Sequence, residues 1–284
     1  MVKKFVEKNA LSLFFIICYS GMIVAVLIQV LFKISSFTPE NFNLFGFILW
    51  IFQAFNPTIA ALFITGIIHG RDGIKHLFRG FLKYRVGFFW YFAAFLLILA
   101  PLALAIFYTL FTGAWKGITF NASFPLFIAT LLFSIFSGPL SEEMGWRGFA
   151  LPRIESRFSA LVSSLLLGFL WFLWHIPLYF VPDSSQMGIP PYIYIALVIS
   201  ISILMTWAYN NTEGSLLITF LFHFCFNYGT VLIINQLKLI PTIVYYIGGS
   251  IMIGIYIIVV ISYSGIQKFS KKPDEVMPFK KTSK

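Results

Sequence analysis

Charge is what this sequence has least of. Only 11% of its 284 residues are charged, against about a quarter in soluble globular proteins. With 59% apolar residues and a mean hydropathy of +0.89, a soluble domain is excluded and an integral membrane protein is implied. Cysteine is nearly absent too. Cys18 and Cys225 both lie in apolar segments, so no disulfide framework is implied. No His-Glu-x-x-His run is present, which removes the usual zinc-peptidase helix pattern. There is no internal repeat and no separate soluble domain, and few spans are interrupted by Gly or Pro at matching positions. Both absences weigh against an ion-coupled transporter built from repeated halves.

What is present is apolar length. Eight spans are expected: Ala10–Phe32, Leu44–Ile68, Gly87–Phe111, Ala122–Pro152, Ala160–Phe180, Pro191–Tyr209, Ser215–Gln236 and Pro241–Ser264. They are expected to be helices, since lipid offers backbone groups no other local partner. The fold class is therefore all-α and polytopic. The first span has the basic flank of a signal peptide but lacks a small-residue cleavage site, and is read as retained. The fourth is too long for a bilayer, so it protrudes, tilts or kinks at Pro139. Residues 1–9 form an N-terminal flank, 10–265 one helical domain with its core at 122–236, and 266–284 a basic, solvated and disordered tail.

The few basic residues are sorted by side. With the N-terminus inside, the inner segments hold 17 Lys and Arg and the outer segments only Lys33, Lys116 and Lys238. This bias places both termini in the cytoplasm. It also turns the net charge of +10 toward anionic inner-leaflet lipids rather than nucleic acid. The stretch Lys75–Arg85 reads as a basic interfacial segment.

Ionisable residues inside spans cost about 2.5–3.5 kcal/mol each on insertion scales and are functional candidates by default. Here they are Glu142, Glu143 and Arg147 on span four, His175 on span five, and His223 with Asn227 on span seven. Glu143 and Arg147 are four apart in the favourable order for an intrahelical pair. Glu142 stands about 100° round the helix, which leaves it as the freer base. Counted from a hairpin at Arg157–Ser159, Glu142 and His175 are level, both about 24–26 Å from the turn. His223 lies about 14 Å beyond Gly214 and reaches the same layer if the hairpin protrudes by about two turns. A carboxylate and an imidazole can activate water, and an imidazole with an amide can stabilise an oxyanion. Glu142, His175 and His223 also have the ligand types for a divalent metal such as zinc. Each segment alone has a plainer reading: a charge cluster at the membrane surface, an interfacial histidine, or interhelical hydrogen-bonding glue. Asn56-Pro57 reads as a kink and the neighbouring Trp residues as packing.

The three segments together resemble the CPBP family of intramembrane proteases (CAAX proteases and bacteriocin-processing enzymes, also called Abi). The family pattern EExxxR, FxxxH, HxxxN is met by Glu142–Arg147, Trp171–His175 and His223–Asn227, with Trp171 in place of Phe. The resemblance implies a peptidase in the cell membrane, with its site open to the cytoplasm. Glu142, assisted by His175, would activate water, His223 and Asn227 would bind the oxyanion, and Glu143 and Arg147 would orient the site. No cofactor is required in the favoured, metal-free reading. The substrate would be a peptide or membrane protein, with lipid modification left open. The alternatives are a non-catalytic bacteriocin-immunity or scaffold protein and, less favoured, an ion-coupled transporter.

Overall fold

The computed structural model describes residues 1–40, 42–120 and 122–279. It is all-α, and among the described residues eight helical stretches are long and apolar enough to cross a membrane. In chain order the helices are α1 (Val2–Lys8), α2 (Ala10–Leu31), α3 (Leu44–Arg79), α4 (Phe88–Phe111), α5 (Phe124–Phe136), α6 (Pro139–Gly145), α7 (Leu151–Glu155), α8 (Ala160–His175), α9 (Pro191–Asn211), α10 (Leu216–Thr230) and α11 (Thr242–Ser264). Side chains cap several starts: Asn43 accepts from Gly46 N–H at α3, Ser159 from Val162 at α8, and Ser215 from Ile218 at α10. One span differs from the sequence reading by more than a few residues. The second span runs on to Leu82, because the chain re-enters helix after a non-helical Gly70 (φ 60°, ψ −152°).

The long fourth span is a broken helix. The break is at Ser137-Gly138, where Gly138 adopts φ 127° and ψ −67°. Pro139 is the first residue of α6, where its missing N–H goes unneeded. After Gly145 the backbone widens into one π-helical turn, Trp146–Ala150, before α7. Such turns recur at functional sites because they re-aim side chains within a helix.

α6 is seated on α3 at Pro57. A Cβ on Gly145 would lie 2.6 Å from the Pro57 carbonyl carbon, so only glycine permits this approach. Next to it, Thr58 Oγ1 donates to the Ser141 carbonyl at 2.6 Å. α2 closes the other side, with Phe14 against Trp146 and Phe149 at 5.4 and 5.1 Å between ring centroids. α8 and α9 are tied inside the bundle by Ser202 Oγ, which donates to the Ser164 carbonyl at 3.0 Å. Hydroxyl–carbonyl bonds of this kind suit helices that water does not drive together.

The C-terminal segment folds back instead of extending into solvent. Ala160 and Leu161 donate their N–H groups to the Gln267 and Ile266 carbonyls at 2.8 and 3.1 Å. Asn210 and Asn211 donate to the carbonyls of Lys268 and Phe269 at 2.8 and 2.7 Å. Phe269 is fully buried. The physical reason is that the first turn of α8 has unpaired N–H groups, and the tail supplies carbonyls for them. The part of the expected tail at 280–284 lies outside the described residues.

Candidate active site

α6 delivers Glu142 and Glu143 to opposite duties. Glu143 is fully buried and its Oε1 is 2.9 Å from Arg147 Nη1, also fully buried. The same oxygen is 2.8 Å from His223 Nδ1. Arg147 lies over the Trp171 ring, 4.3 Å from its centroid. So the pair at i and i+4 forms, and it also anchors the imidazole that α10 carries.

Glu142 is held differently. Its Oε2 accepts from Trp146 Nε1 at 2.9 Å and from Trp171 Nε1 at 2.6 Å. Oε1 has no protein donor among the described residues. It faces the point where a Cβ on Gly138 would sit, 3.1 Å away, and His223 Nε2 faces the same point from 2.9 Å. The break at Gly138 therefore leaves open a gap that both groups border. Its positive φ and its missing side chain serve one purpose.

His175 ends α8, and its Nδ1 is 2.9 Å from the Trp171 carbonyl. A carbonyl only accepts, so Nδ1 carries the hydrogen and Nε2 keeps its lone pair. Trp174 packs edge-on to this imidazole at 4.8 Å between centroids and donates from Nε1 to the Cys18 carbonyl at 3.2 Å. Both neighbours thereby hold the ring.

Glu142, His175, His223 and Asn227 line one cavity of about 260 Å³. Glu143 and Arg147 stand behind it. Asn227 is half-buried and its amide has no hydrogen-bond partner among the described residues. Among the described residues, no group of three or more His, Cys, Asp or Glu side chains is arranged to hold a metal ion.

Some contributors were not visible in the sequence. Trp146 and Trp171 look like packing in so apolar a chain, yet both donate to Glu142. Gln53 lines the cavity, and its amide donates to Gln29 Oε1 at 2.7 Å. The rest of the cavity wall comes from α2, α3, α5, α8, α9, α10 and α11 and from two loops, through Ser36, Ser185, Gln186 and Ile189. Among the described residues, none of the lining comes from the hairpin at 156–159, the turn at 212–215 or the segment 80–87. A second, apolar cavity of about 210 Å³ between α4 and α11 adjoins the first, and the two share Leu197, Phe226, Thr230 and Tyr246.

Residues 123–229 match the Type II CAAX prenyl endopeptidase Rce1-like family. Over 159 residues the chain is 33% identical to CAAX prenyl protease 2 of Methanococcus maripaludis, covering 52% of this chain and 59% of that relative. The chain thus spans less than two thirds of the relative's length. All three motif segments fall inside the matched residues.

Proposed function

We propose that this multi-pass, CPBP-like chain is an intramembrane endopeptidase of the cell membrane. The observation that carries the reading is the gap at Gly138, bordered at once by a free carboxylate oxygen and an imidazole nitrogen. Glu142 Oε1 takes a proton from a water, and the water oxygen attacks the carbonyl carbon of the peptide bond. The C–N bond then breaks, and the proton leaves with the amine. The indoles of Trp146 and Trp171 hold Glu142 Oε2, so that Oε1 is the oxygen presented. His175 assists through its free Nε2.

His223 and Asn227 bind the oxyanion in this scheme. Because Nδ1 of His223 is committed to Glu143, donation from Nε2 requires the doubly protonated ring. Glu143 and Arg147 are positioning residues, acting through His223 and Trp171. A bound divalent metal would polarise the carbonyl or the water. Glu142, His175 and His223 have the ligand chemistry to hold it, while no group of three or more such side chains among the described residues is already arranged around an ion site.

The substrate is a peptide or a membrane-protein segment, and the adjoining apolar cavity suits a lipid chain attached to it. The basic bias supports cytoplasmic termini, with the basic face against anionic inner-leaflet lipids. Purified protein assayed against a peptide panel, with a chelator arm, tests the reading. Cleavage that is lost in Glu142→Ala, His175→Ala and His223→Ala supports it. Wild-type rates in all three would sink it. Full protection against a bacteriocin by a non-cleaving variant would favour the immunity or scaffold alternative.

A further inference from the structure

The bundle has two distinct ends. One end gathers α1, the segment 80–87, the hairpin at 156–159, the α9–α10 turn and residues 265–279. Its parts are bonded to one another: Ser215 Oγ donates to the Lys83 carbonyl at 2.7 Å, and the tail is bonded to α8 and α9 as described above. The other end gathers the α2–α3, α4–α5, α8–α9 and α10–α11 connections, and the Ser36 N–H donates to the Pro182 carbonyl there at 2.8 Å.

Basic residues divide sharply between these ends. Of the described Lys and Arg, thirteen lie at or near the first end and only Lys33, Lys116 and Lys238 at the second. Arg147, counted with the inner segments in the sequence, is fully buried at the site and belongs to neither. The basic end is the cytoplasmic one by the positive-inside rule.

The cavity reaches the other end. Glu142 and His223 sit deep in the bundle, whereas Ser36, Ser185, Gln186 and Ile189 line the cavity from the two loops of the poorly basic end. Three of these four are polar, which suits hydrated, non-helical chain inside a membrane protein. Depth counted from the cytoplasmic turns placed Glu142, His175 and His223 in one layer, and all three line this cavity. The direction in which the cavity leaves that layer is set by where α8 stops, at His175, and by the loop that follows.

We propose that the cavity opens on the face opposite the basic one, so that substrate reaches Glu142 from the extracytoplasmic side. That the occupant is a peptide rests on the endopeptidase reading; the direction of access rests on the cavity and the charge distribution alone. The substrate is then an extracytoplasmic peptide segment, and not a cytoplasmic C-terminal tail.

Single cysteines test this in a Cys18→Ser, Cys225→Ser background. Ser185→Cys marks the mouth, Ser137→Cys the cavity interior, and Arg157→Cys the basic face. In intact cells a membrane-impermeant maleimide is expected to label Ser185→Cys and Ser137→Cys but not Arg157→Cys. Inverted vesicles are expected to show the reverse. Labelling of the two cavity positions from the cytoplasmic side only, or from neither side, overturns the proposal. A peptide added to sealed right-side-out vesicles should be cleaved, and one added to inverted vesicles should not. Cleavage only in inverted vesicles also overturns it. Labelling in the expected pattern without cleavage on either side upholds the access route and sinks the peptidase reading instead.

Discussion

Replacing Gly138 with alanine should stop catalysis without unfolding the protein. The added methyl would stand 2.9 Å from His223 Nε2, 3.0 Å from its Cε1 and 3.1 Å from Glu142 Oε1. Real Cβ contacts are almost never under 3.0 Å, so one of these groups must move. Neither moves freely: Glu143 holds His223 at 2.8 Å and two indoles hold Glu142. The backbone adds strain, because φ of 127° is a glycine conformation, and such strain costs about 1–3 kcal/mol. That is within the roughly 5–15 kcal/mol stability of a folded domain, so the variant should still assemble with a lowered unfolding temperature in detergent. Misplacing reacting groups by about 1 Å costs on the order of 100-fold in rate, and in the proposed mechanism the methyl also occupies the place of the attacking water. Peptide cleavage should therefore fall by at least about 100-fold. Gly188→Ala is the control, since nothing lies within 4 Å of its Cβ position, and its rate should match wild type. A Gly138→Ala protein that is less stable yet cleaves at the wild-type rate would refute the reasoning, because the gap would then not be the reaction centre.

Three other variants separate holding from chemistry. Glu143→Ala strands Arg147 and releases His223, both buried; removing one partner of such a pair costs about 3–5 kcal/mol, and chemical or thermal unfolding in detergent should show it. An unchanged unfolding curve would mean that the pair is not formed. Trp171→Phe keeps an aromatic ring while removing the 2.6 Å bond to Glu142 Oε2. Bonds to charged groups contribute about 1.5–3 kcal/mol, so with Trp146 still in place kcat should drop about tenfold and KM should move little. A wild-type kcat would mean that the indole only packs. Asn210→Ala loses bonds to Glu155 and to the Lys268 carbonyl; stability should fall by about 1–3 kcal/mol with turnover per folded molecule unchanged. A turnover change larger than the stability loss would instead link the tail to the site.

Composition alone makes the membrane class legible, and hydropathy makes all eight spans legible to within a few residues except at the second. The three motif segments were legible because helical spacing is short-range. The Glu143–Arg147 bond follows from positions four apart, and Glu142 was separated from it by one residue of rotation. What escaped was whatever depends on a rotamer or on a distant partner. The indole hydrogens of Trp146 and Trp171 point at Glu142 only because Phe14, Trp174 and Arg147 fix the ring planes. Gly138, not Pro139, breaks span four, since the break needs a φ that proline cannot take. Asn56-Pro57 read as a kink because the contact of Pro57, Gly145 on α6, lies some ninety residues later in the chain. The tail read as solvated from its lysines and prolines, yet its carbonyls satisfy donors on α8 and α9 that no local pattern reveals.

The most direct measurement is the peptide cleavage rate of purified Glu142→Gln beside wild type, in the same detergent and with matched unfolding curves. Glutamine keeps an oxygen for the two indoles but cannot take a proton from water. Loss of cleavage with an unchanged unfolding curve is the predicted result. A Glu142→Gln protein that cleaves at the wild-type rate would contradict the account.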